Sequence, residues 1–178
     1  MAQFGALDVL ISNAGVMWVG PFDAEPEAAT DSMIAVNLRA VLRGVQLAAP
    51  AMRARGLGHI ITIASAAARL SPPGEASYAA TKHGVLGYLT CVREELRGSG
   101  VVLSVIMPGV VDTELAIGTA NGVAKVLKPF HVTQAVVQTI KQPRFEVTLP
   151  GYIGPPSHFI KILPQLSTSF ELSPKVPK

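Results

Sequence analysis

Residues 59–90 read HIITIASAAARLSPPGEASYAATKHGVLGYLT, and this stretch decides the fold. It opens with an apolar run, His59–Ala64, whose β-branched residues favour a strand. A loop of small residues follows and passes through Ser71-Pro-Pro-Gly74. A helix is then predicted from about Ser77 to Arg97, before Gly98 ends it. A buried strand joined to a long helix is the repeating unit of α/β proteins.

The same alternation continues in both directions along the chain. Three further apolar runs predict strands, namely Leu7–Ser12, Val101–Met107 and Arg144–Leu149. Helices are predicted at about 28–55 and 132–142, and a loop with one helical turn at about 110–130. Continuously apolar strands that alternate with helices are typical of a parallel sheet covered on both faces. We therefore expect an α/β fold, a doubly wound parallel sheet of about four strands.

Composition restricts the class of protein. The chain has 178 residues, of which 49% are hydrophobic and 15% charged, so it has enough apolar residues for one packed domain. Its net charge is only +3, and its basic residues form no run of five, so a nucleic-acid partner is not expected. The mean hydropathy of +0.39 is high for a small protein. It suggests apolar surface that a partner, or a further part of the same fold, covers.

Several kinds of protein are not indicated by the sequence. The single cysteine, Cys91, cannot form an internal disulfide, and its apolar neighbours predict an inert core position. The four histidines have no metal-ligand spacing, so no metal site is expected. No apolar stretch has transmembrane length, and residues 1–10 lack the charged start of a signal peptide. A cytoplasmic protein is the resulting expectation.

Residues with possible chemistry follow the predicted strands directly. They are Asn13-Ala14-Gly15 after the first strand, Ser65 after the second and Pro108-Gly109 after the third. Ligands of such sheets bind at the carboxyl ends of the strands. Tyr78 and Lys82 are four residues apart and share one face of the predicted helix. An ammonium near a phenol favours the phenolate, so this pairing predicts a lowered pKa for Tyr78 and a role as an acid or base.

Two polar side chains complete the predicted site. The hydroxyl of Ser65 is expected to hydrogen-bond to a substrate oxygen that gains negative charge. Asn37 is an unusual residue in a mostly apolar helix. It is predicted to bend that helix and to hold a water molecule near Lys82.

Five motifs together resemble the short-chain dehydrogenase/reductase family. They are Ser12-Asn13-Ala14-Gly15, Asn37 in VNLRAVLRG, Ser65 in ITIAS, Tyr78-Ala-Ala-Thr-Lys82 and Pro108-Gly109-Val-Val111-Asp-Thr113. They occur in the family's order and spacing. The tyrosine-lysine pair alone is a weak signal, whereas all five together are specific. The resemblance is close over about residues 7–115 and implies a Rossmann-like sheet, of which this chain contains only the second half.

The resemblance also implies a reaction and a role for each matching residue. The reaction is the NAD(P)-dependent interconversion of an alcohol and a carbonyl. Tyr78 would be the general acid/base. Lys82 would lower the pKa of Tyr78 and bind the ribose hydroxyls of the cofactor. Ser65 would orient the substrate oxygen, and Asn37 would anchor a water in a proton relay. The cofactor-binding set would be Asn13, Ala14, Gly15, Tyr78, Lys82, Pro108, Gly109, Val111 and Thr113. The two long helices would pair subunits in a homodimer or homotetramer.

The sequence departs from the family pattern at its start. No Gly-rich turn of the form T-G-x-x-x-G-x-G is present. Three strands and their helices, about 75 residues at roughly 30 residues for each strand-helix-strand unit, have no counterpart. The choice between NAD and NADP therefore cannot be read, and this chain alone is expected to bind the cofactor weakly or not at all. Two interpretations are open: a truncated form that starts at an internal Met1, or the folded portion of a longer protein.

The remaining predictions concern substrate, domains and an alternative function. A small apolar alcohol or carbonyl is expected, because the loops near the site carry Val16, Met17, Trp18, Leu70, Leu115, Ile117 and Val126. Residues 1–150 are predicted to form a partial Rossmann-like catalytic domain, and 151–178 a Pro-rich tail. The apolar patch Phe159–Leu166 in that tail is interpreted as a substrate lid or an oligomer contact, ahead of a membrane-surface segment, because it has few basic residues. The alternative function is a catalytically silent interaction module that pairs with a full-length homologue through its helix interface.

Overall fold

The computed structural model describes residues 5–116, 118–119 and 126–151. The predicted tail, with the patch Phe159–Leu166, lies outside these residues except for Gly151, and so does Ile117. The described chain contains one parallel sheet of four strands in the order β1-β2-β3-β4. These are β1 (Val9–Ser12), β2 (Gly58–Ile63), β3 (Val101–Pro108) and β4 (Glu146–Leu149). The predicted α/β architecture is confirmed.

Each strand of the sheet pairs with the next one along the chain. Ile11 lies opposite Ile61, and Ile61 lies opposite Ser104. Further along, Ile106 pairs with Val147. Because all pairings are parallel, the carboxyl ends of the strands lie along one edge of the sheet. The residues that follow β1, β2 and β3 are thereby brought to the same edge.

The helix predicted at about 28–55 contains a widened turn. It begins as α1 (Glu27–Met33), passes through a π-helical turn (Ile34–Arg39) and continues as α2 (Ala40–Arg55). Asn37 lies inside the π turn, where the sequence predicted a bend. Such a turn accommodates one extra residue within an otherwise α-helical run. Gly56, with φ +68°, ends α2 in the left-handed conformation.

The other helices match the prediction within a few residues. Helix α3 spans Ala76–Glu95 and α4 spans Pro129–Lys141. Short 3₁₀ turns occur at Phe22–Ala24, Ala66–Ala68 and Glu114–Ala116. None of the helices in the described ranges is long and apolar enough to cross a membrane.

Helices cover both faces of the sheet. On one face, Val45 of α2 and Leu89 of α3 pack against Ile60 and Val105 in the main core cluster. On the other face, Ala135 of α4 packs against Ile61 and Ile106. The sheet is therefore doubly wound, as predicted. Strand β1 is an edge of the sheet in the described chain, and its Ile11 is 44% exposed.

The predicted environment of Cys91 was wrong. The cysteine is exposed, although it lies between apolar residues in the sequence. Leu89 is buried on the inward face of α3, and Cys91 lies two residues further on. A step of two residues turns a helix by about 200°, which carries the side chain to the outward face.

Candidate active site

Three side chains that the sequence singled out come together at the carboxyl end of β2. Ser65 begins the 3₁₀ turn that follows this strand, and its Oγ accepts a hydrogen bond from the backbone of Ala67 at 3.1 Å. Tyr78 and Lys82 lie in the first two turns of α3. Their side chains are 6% and 4% exposed. A phenol and an ammonium are therefore buried beside the hydroxyl at the sheet edge.

The geometry of the pair follows from the helix. Residues four apart share one face, and the Nζ of Lys82 lies 5.4 Å from the centre of the Tyr78 ring. The Ser65 side chain lies near the Tyr78 hydroxyl and favours its ionised form. Ser65 and Lys82 thus approach Tyr78 at different parts of its side chain, and the predicted convergence of these residues is observed.

The direction predicted for the pKa of Tyr78 was wrong for this chain. Burial raises the pKa of Tyr78 above its usual value. The hydrogen bond with Ser65 lowers it, and the negative charge of Glu75 raises it further. Burial also lowers the pKa of Lys82, to about 8. The ammonium on which the prediction depended is itself disfavoured, so the phenol of Tyr78 keeps its proton.

The turn after β1 approaches this cluster from the opposite side. A Cβ added to Gly15 would lie 3.5 Å from Oδ1 of Asn37 and 3.8 Å from Nζ of Lys82. Gly15 is half-buried, whereas Asn13 and Ala14 are exposed. The turn, the π-helical segment and α3 therefore meet at Gly15, and the two residues before it form an open surface next to Lys82.

Asn37 joins these three elements through its side chain. It is 1% exposed, and its Oδ1 accepts a hydrogen bond from the backbone N–H of Val16 at 2.9 Å. Its Nδ2 donates to the Val16 carbonyl at 2.8 Å and to Oγ1 of Thr81 at 3.3 Å. The Thr81 hydroxyl in turn donates to the backbone carbonyl of Tyr78 at 2.7 Å. Both amide hydrogens of Asn37 are used within the protein, and Oδ1 accepts one hydrogen bond, which leaves it one free lone pair.

The segment Pro108–Thr113 begins at the last residue of β3, the neighbour of β2 in the sheet. The N–H of Gly109 donates to the Leu149 carbonyl at 2.7 Å, and Val111 forms a β-bridge with Leu127. Pro108 is buried, Gly109 and Val111 are half-buried, and Thr113 is exposed. The structure places these residues at the same sheet edge as Ser65, and no hydrogen bond joins them to Tyr78 or Lys82 in the described residues.

Loops close around the site above Tyr78. Gly20 donates its N–H to the Gly74 carbonyl at 2.9 Å, which joins the loop after β1 to the loop before α3. A Cβ on Gly118 would lie 3.7 Å from Val19. Among the apolar residues expected to line a pocket, Val16, Met17 and Trp18 pack against a small cluster with Tyr78 and Met33. Leu115 and Val126 are exposed.

Two features of this region were missed by the sequence analysis. Glu75 precedes α3, is 9% exposed and acts electrostatically on Tyr78. Arg69 forms an ion pair with Glu146 at 2.5 Å, which ties the loop after β2 to β4. The spacing to Tyr78 could have identified Glu75, because a residue three positions earlier lies about one helical turn away. The ion pair had no local signal, since its partners are 77 residues apart.

The site has features that fit a bound dinucleotide. The buried ammonium of Lys82 has no hydrogen-bond or ion-pair partner in the described part of the chain. A buried charge without a partner is costly, and ribose hydroxyls would supply acceptors for it. The exposed surface of Asn13 and Ala14 lies beside it. The ammonium of Lys82 and the open surface beside it therefore suit a bound dinucleotide.

Sequence comparison assigns the chain to a known protein family. The model of the short chain dehydrogenases matches residues 1–123. The chain belongs to the short-chain dehydrogenase family, whose similar members are oxidoreductases.

Two curated relatives illustrate the extent of the match. D-beta-hydroxybutyrate dehydrogenase of Rhizobium meliloti is 40% identical over 113 residues, which are 64% of this chain and 44% of that protein. Ketoacyl reductase HetN of Nostoc sp. is 37% identical over 147 residues, 80% of this chain and 51% of that protein. The chain spans about half the length of the curated relatives it matches.

Solved structures of similar fold include complexes with dinucleotides. A gluconate 5-dehydrogenase from Burkholderia cenocepacia, in complex with NADP and tartrate, superposes with a TM-score of 0.75 at 26% identity, covering 85% of this chain and 66% of that one. An alcohol dehydrogenase from Thermococcus sibiricus, complexed with 5-hydroxy-NADP, superposes with a TM-score of 0.73 at 26% sequence identity. The match covers 84% of this chain and 65% of that one. The Rossmann-like character of the sheet is thereby established.

Proposed function

We propose that the protein carrying this chain is an NAD(P)-dependent oxidoreductase that interconverts an alcohol and a carbonyl. The observation that carries the proposal is the position of Tyr78, whose buried ring lies 5.4 Å from Nζ of Lys82 at the sheet edge that also carries Ser65. A buried acid with two polar neighbours at the carboxyl edge of a parallel sheet suits proton transfer to a bound ligand.

In the reducing direction, Tyr78 is the proton donor. The raised pKa keeps the phenol protonated at neutral pH, and the phenol gives this proton to the carbonyl oxygen of the substrate. Ser65 donates a hydrogen bond to the same oxygen as it gains negative charge. A nicotinamide nucleotide, when bound, would supply the hydride for this reduction. In the oxidising direction Tyr78 accepts the proton of the alcohol.

Lys82 and its neighbours are proposed to hold the cofactor. Nζ of Lys82 binds ribose hydroxyls, and Asn13, Ala14 and Gly15 form the adjacent surface. The residues Pro108, Gly109, Val111 and Thr113 shape the pocket of the nicotinamide ring. The NADP complexes of the two similar structures support a dinucleotide of this class. Asn37 is proposed to anchor a water of the proton relay through the free lone pair of Oδ1.

The test is made on the protein expressed from its complete coding sequence. Consumption of NADH or NADPH is followed with a panel of small apolar ketones. The variant Tyr78→Phe is expected to lower kcat by about 10²–10⁴-fold with unchanged circular dichroism, because it removes only the reacting hydroxyl. Tyr88→Phe, on the same helix, is the matched control and is expected to keep activity. Wild-type activity in Tyr78→Phe, or no turnover with either nucleotide, contradicts the proposal.

The proposed assembly is a homodimer or homotetramer through α2 and α3. Leu47 of α2 is 62% exposed, which supports an apolar contact on that helix. The relatives give no support to the alternative of a catalytically silent interaction module.

A further inference from the structure

Thr81 carries a buried hydroxyl to which the proposed reaction assigns no task. It lies in the second turn of α3, between Tyr78 and Lys82 in the sequence, and is 3% exposed. Its hydroxyl donates to the backbone carbonyl of Tyr78 at 2.7 Å and accepts from Nδ2 of Asn37 at 3.3 Å. A hydroxyl has one hydrogen, so the bond to the carbonyl leaves only its lone pairs for Asn37. The two bonds therefore form one directed chain from the Asn37 amide to the backbone of the reacting tyrosine.

The bond to the backbone does not by itself explain a threonine at this position. Threonine hydroxyls in helices commonly bond to a carbonyl of the preceding turn. Thr90, on the same helix, does so with the Leu86 carbonyl at 2.8 Å. Thr90 is exposed, and within the described ranges no other group bonds to its hydroxyl. What distinguishes Thr81 is the hydrogen bond that it accepts from a side chain 44 positions away.

That hydrogen bond completes a link between three elements of the site. The Asn37 amide is also bonded to both backbone polar groups of Val16, in the turn after β1. Val16 directly follows Gly15, and a Cβ added to Gly15 would lie 3.8 Å from Nζ of Lys82. Thr81 thus connects the part of α3 that carries the phenol and the ammonium with the turn proposed to form the cofactor surface.

The packing of α3 against the π-helical segment shows how close this link is. A Cβ added to Gly84 would lie 3.3 Å from Cδ1 of Leu38, which is closer than most such contacts. Gly84 lies about one turn after Thr81, and Leu38 follows Asn37, so the two contacts are neighbours. Apolar contact is non-directional, whereas a hydrogen bond depends on distance and angle. Loss of the Thr81 hydroxyl would leave one hydrogen of the Asn37 amide buried without an acceptor, which favours a shift of α3.

We propose that Thr81 is a positioning residue that holds Tyr78 and Lys82 at their working distance from the turn formed by residues 13–15. This inference rests on the proposed oxidoreductase function, because it takes Lys82 and the turn to bind the dinucleotide and Tyr78 to transfer the proton. Thr81 acts through these neighbours and touches neither substrate nor cofactor. An error of about 1 Å in such an alignment costs about 10²-fold in rate.

The test compares Thr81→Val, which keeps the size of the side chain and removes its hydroxyl, with Thr81→Ser, which keeps the hydroxyl. In the complete protein, Thr81→Val is expected to lower kcat by about 10–100-fold. It is also expected to raise the KM for NADH or NADPH by about tenfold, the effect of one weakened hydrogen bond from a charged group. Thr81→Ser keeps both hydrogen bonds and is expected to stay within about threefold of the wild type in both constants. Thr90→Val removes a hydroxyl from the exposed face of the same helix. It is the matched control and is expected to leave both constants unchanged.

The KM for the dinucleotide distinguishes positioning from a loss of stability. Fewer folded molecules lower the apparent kcat, but they do not change a KM. A fall in kcat at an unchanged KM, or wild-type values of both constants in Thr81→Val, overturns the proposal. Thr81→Ala leaves room beside the Asn37 amide and is the second variant if the valine prevents folding, with the same rise in KM expected. If circular dichroism shows that neither variant folds, the hydroxyl serves the fold alone and the proposal is overturned.

Dinucleotide binding separates this proposal from the oxidoreductase function. The Kd for NADH or NADPH, measured by the fluorescence of the bound nicotinamide, requires no turnover. A Kd that rises about tenfold in Thr81→Val, with no turnover of any ketone by the wild type, supports the placement of Lys82 by Thr81 and contradicts the oxidoreductase function. Turnover by the wild type with unchanged constants in Thr81→Val overturns the role of Thr81 and leaves the oxidoreductase function intact. A wild type that neither binds nor turns over contradicts both.

Discussion

Asn37 hydrogen-bonds both backbone polar groups of Val16, accepting from its N–H at 2.9 Å and donating to its carbonyl at 2.8 Å. The two residues are 21 positions apart, so this single amide ties the turn after β1 to the helix. Because the side chain is buried, water cannot replace either bond.

We therefore expect Asn37→Ala to be clearly destabilising. Two backbone groups of Val16 would lose their partner and the Thr81 hydroxyl one of two, at a cost of about 1–3 kcal/mol in the free energy of unfolding. Urea denaturation followed by circular dichroism measures it. Asn13→Ala removes an exposed amide from the neighbouring turn and is the control, with an expected change within about 0.5 kcal/mol. Equal effects of the two substitutions would show that the Asn37 amide does not stabilise the contact between the turn and the helix.

The buried lysine makes stability depend on pH. Burial lowers the pKa of Lys82 from 10.5 to about 8, so between these values the unfolded chain holds a proton that the folded chain has released. Stability rises with pH wherever the unfolded state binds more protons, so the contribution of Lys82 increases from pH 8 toward 10.5. In this window the unfolding free energy of the wild type should therefore rise relative to that of Lys82→Met, by up to about 1.4 kcal/mol per pH unit. A difference that stays constant with pH would show that the amine is hydrated.

The ion pair between Arg69 and Glu146 should stabilise the sheet edge. It lies at 2.5 Å with side chains that are mostly buried, and it joins the loop after β2 to β4. Arg69→Met should lower the free energy of unfolding by about 1–3 kcal/mol, because it removes a hydrogen bond between two charged side chains that are mostly shielded from water. Arg97→Met is the matched control, since Arg97 pairs with Glu94 on the exposed surface, and about 0.5 kcal/mol or less is expected. Equal losses in urea denaturation would rule out a special contribution of Arg69.

The edge strand should govern self-association of the 178-residue chain. β1 has one neighbour in the described sheet, and Ile11 projects an exposed apolar side chain from it. Lysine on an edge strand opposes pairing with another chain. Ile11→Lys is expected to lower light scattering at high concentration while changing the unfolding free energy by only about 0.5 kcal/mol. Phe130→Lys makes a similar exchange on α4, outside the proposed subunit contact, and an equal drop in scattering there would assign the association to exposed apolar side chains in general.

The elements were predictable because their signals are local. The apolar run His59–Ala64 and the alternation of strands and helices identified the sheet, and helical spacing placed Tyr78 and Lys82 on one face. The order of residues after the strands brought Ser65 to the same edge. These features depend on periodicity and on the geometry of parallel strands, both of which a sequence contains.

What the sequence could not supply depends on burial and on distant partners. The π turn around Asn37 requires a partner 21 residues away. The pKa of Tyr78 depends on how deeply both it and Lys82 are buried, and burial outweighs the charge that the spacing suggests. The outward position of Cys91 depends on which face of α3 meets the sheet. In each case the neighbours in the fold, rather than those in the sequence, decide the outcome.

The widened turn at Ile34–Arg39 joins two lengths of helix. Because this turn takes up one extra residue, deleting a single residue there would restore a regular α-helix and keep α1 and α2 in nearly the same phase. The widened backbone that holds Asn37 would be lost, and with it the two hydrogen bonds to Val16. A one-residue deletion at this turn should therefore disturb the reacting centre more than any single side-chain exchange on the outer face of the same helix.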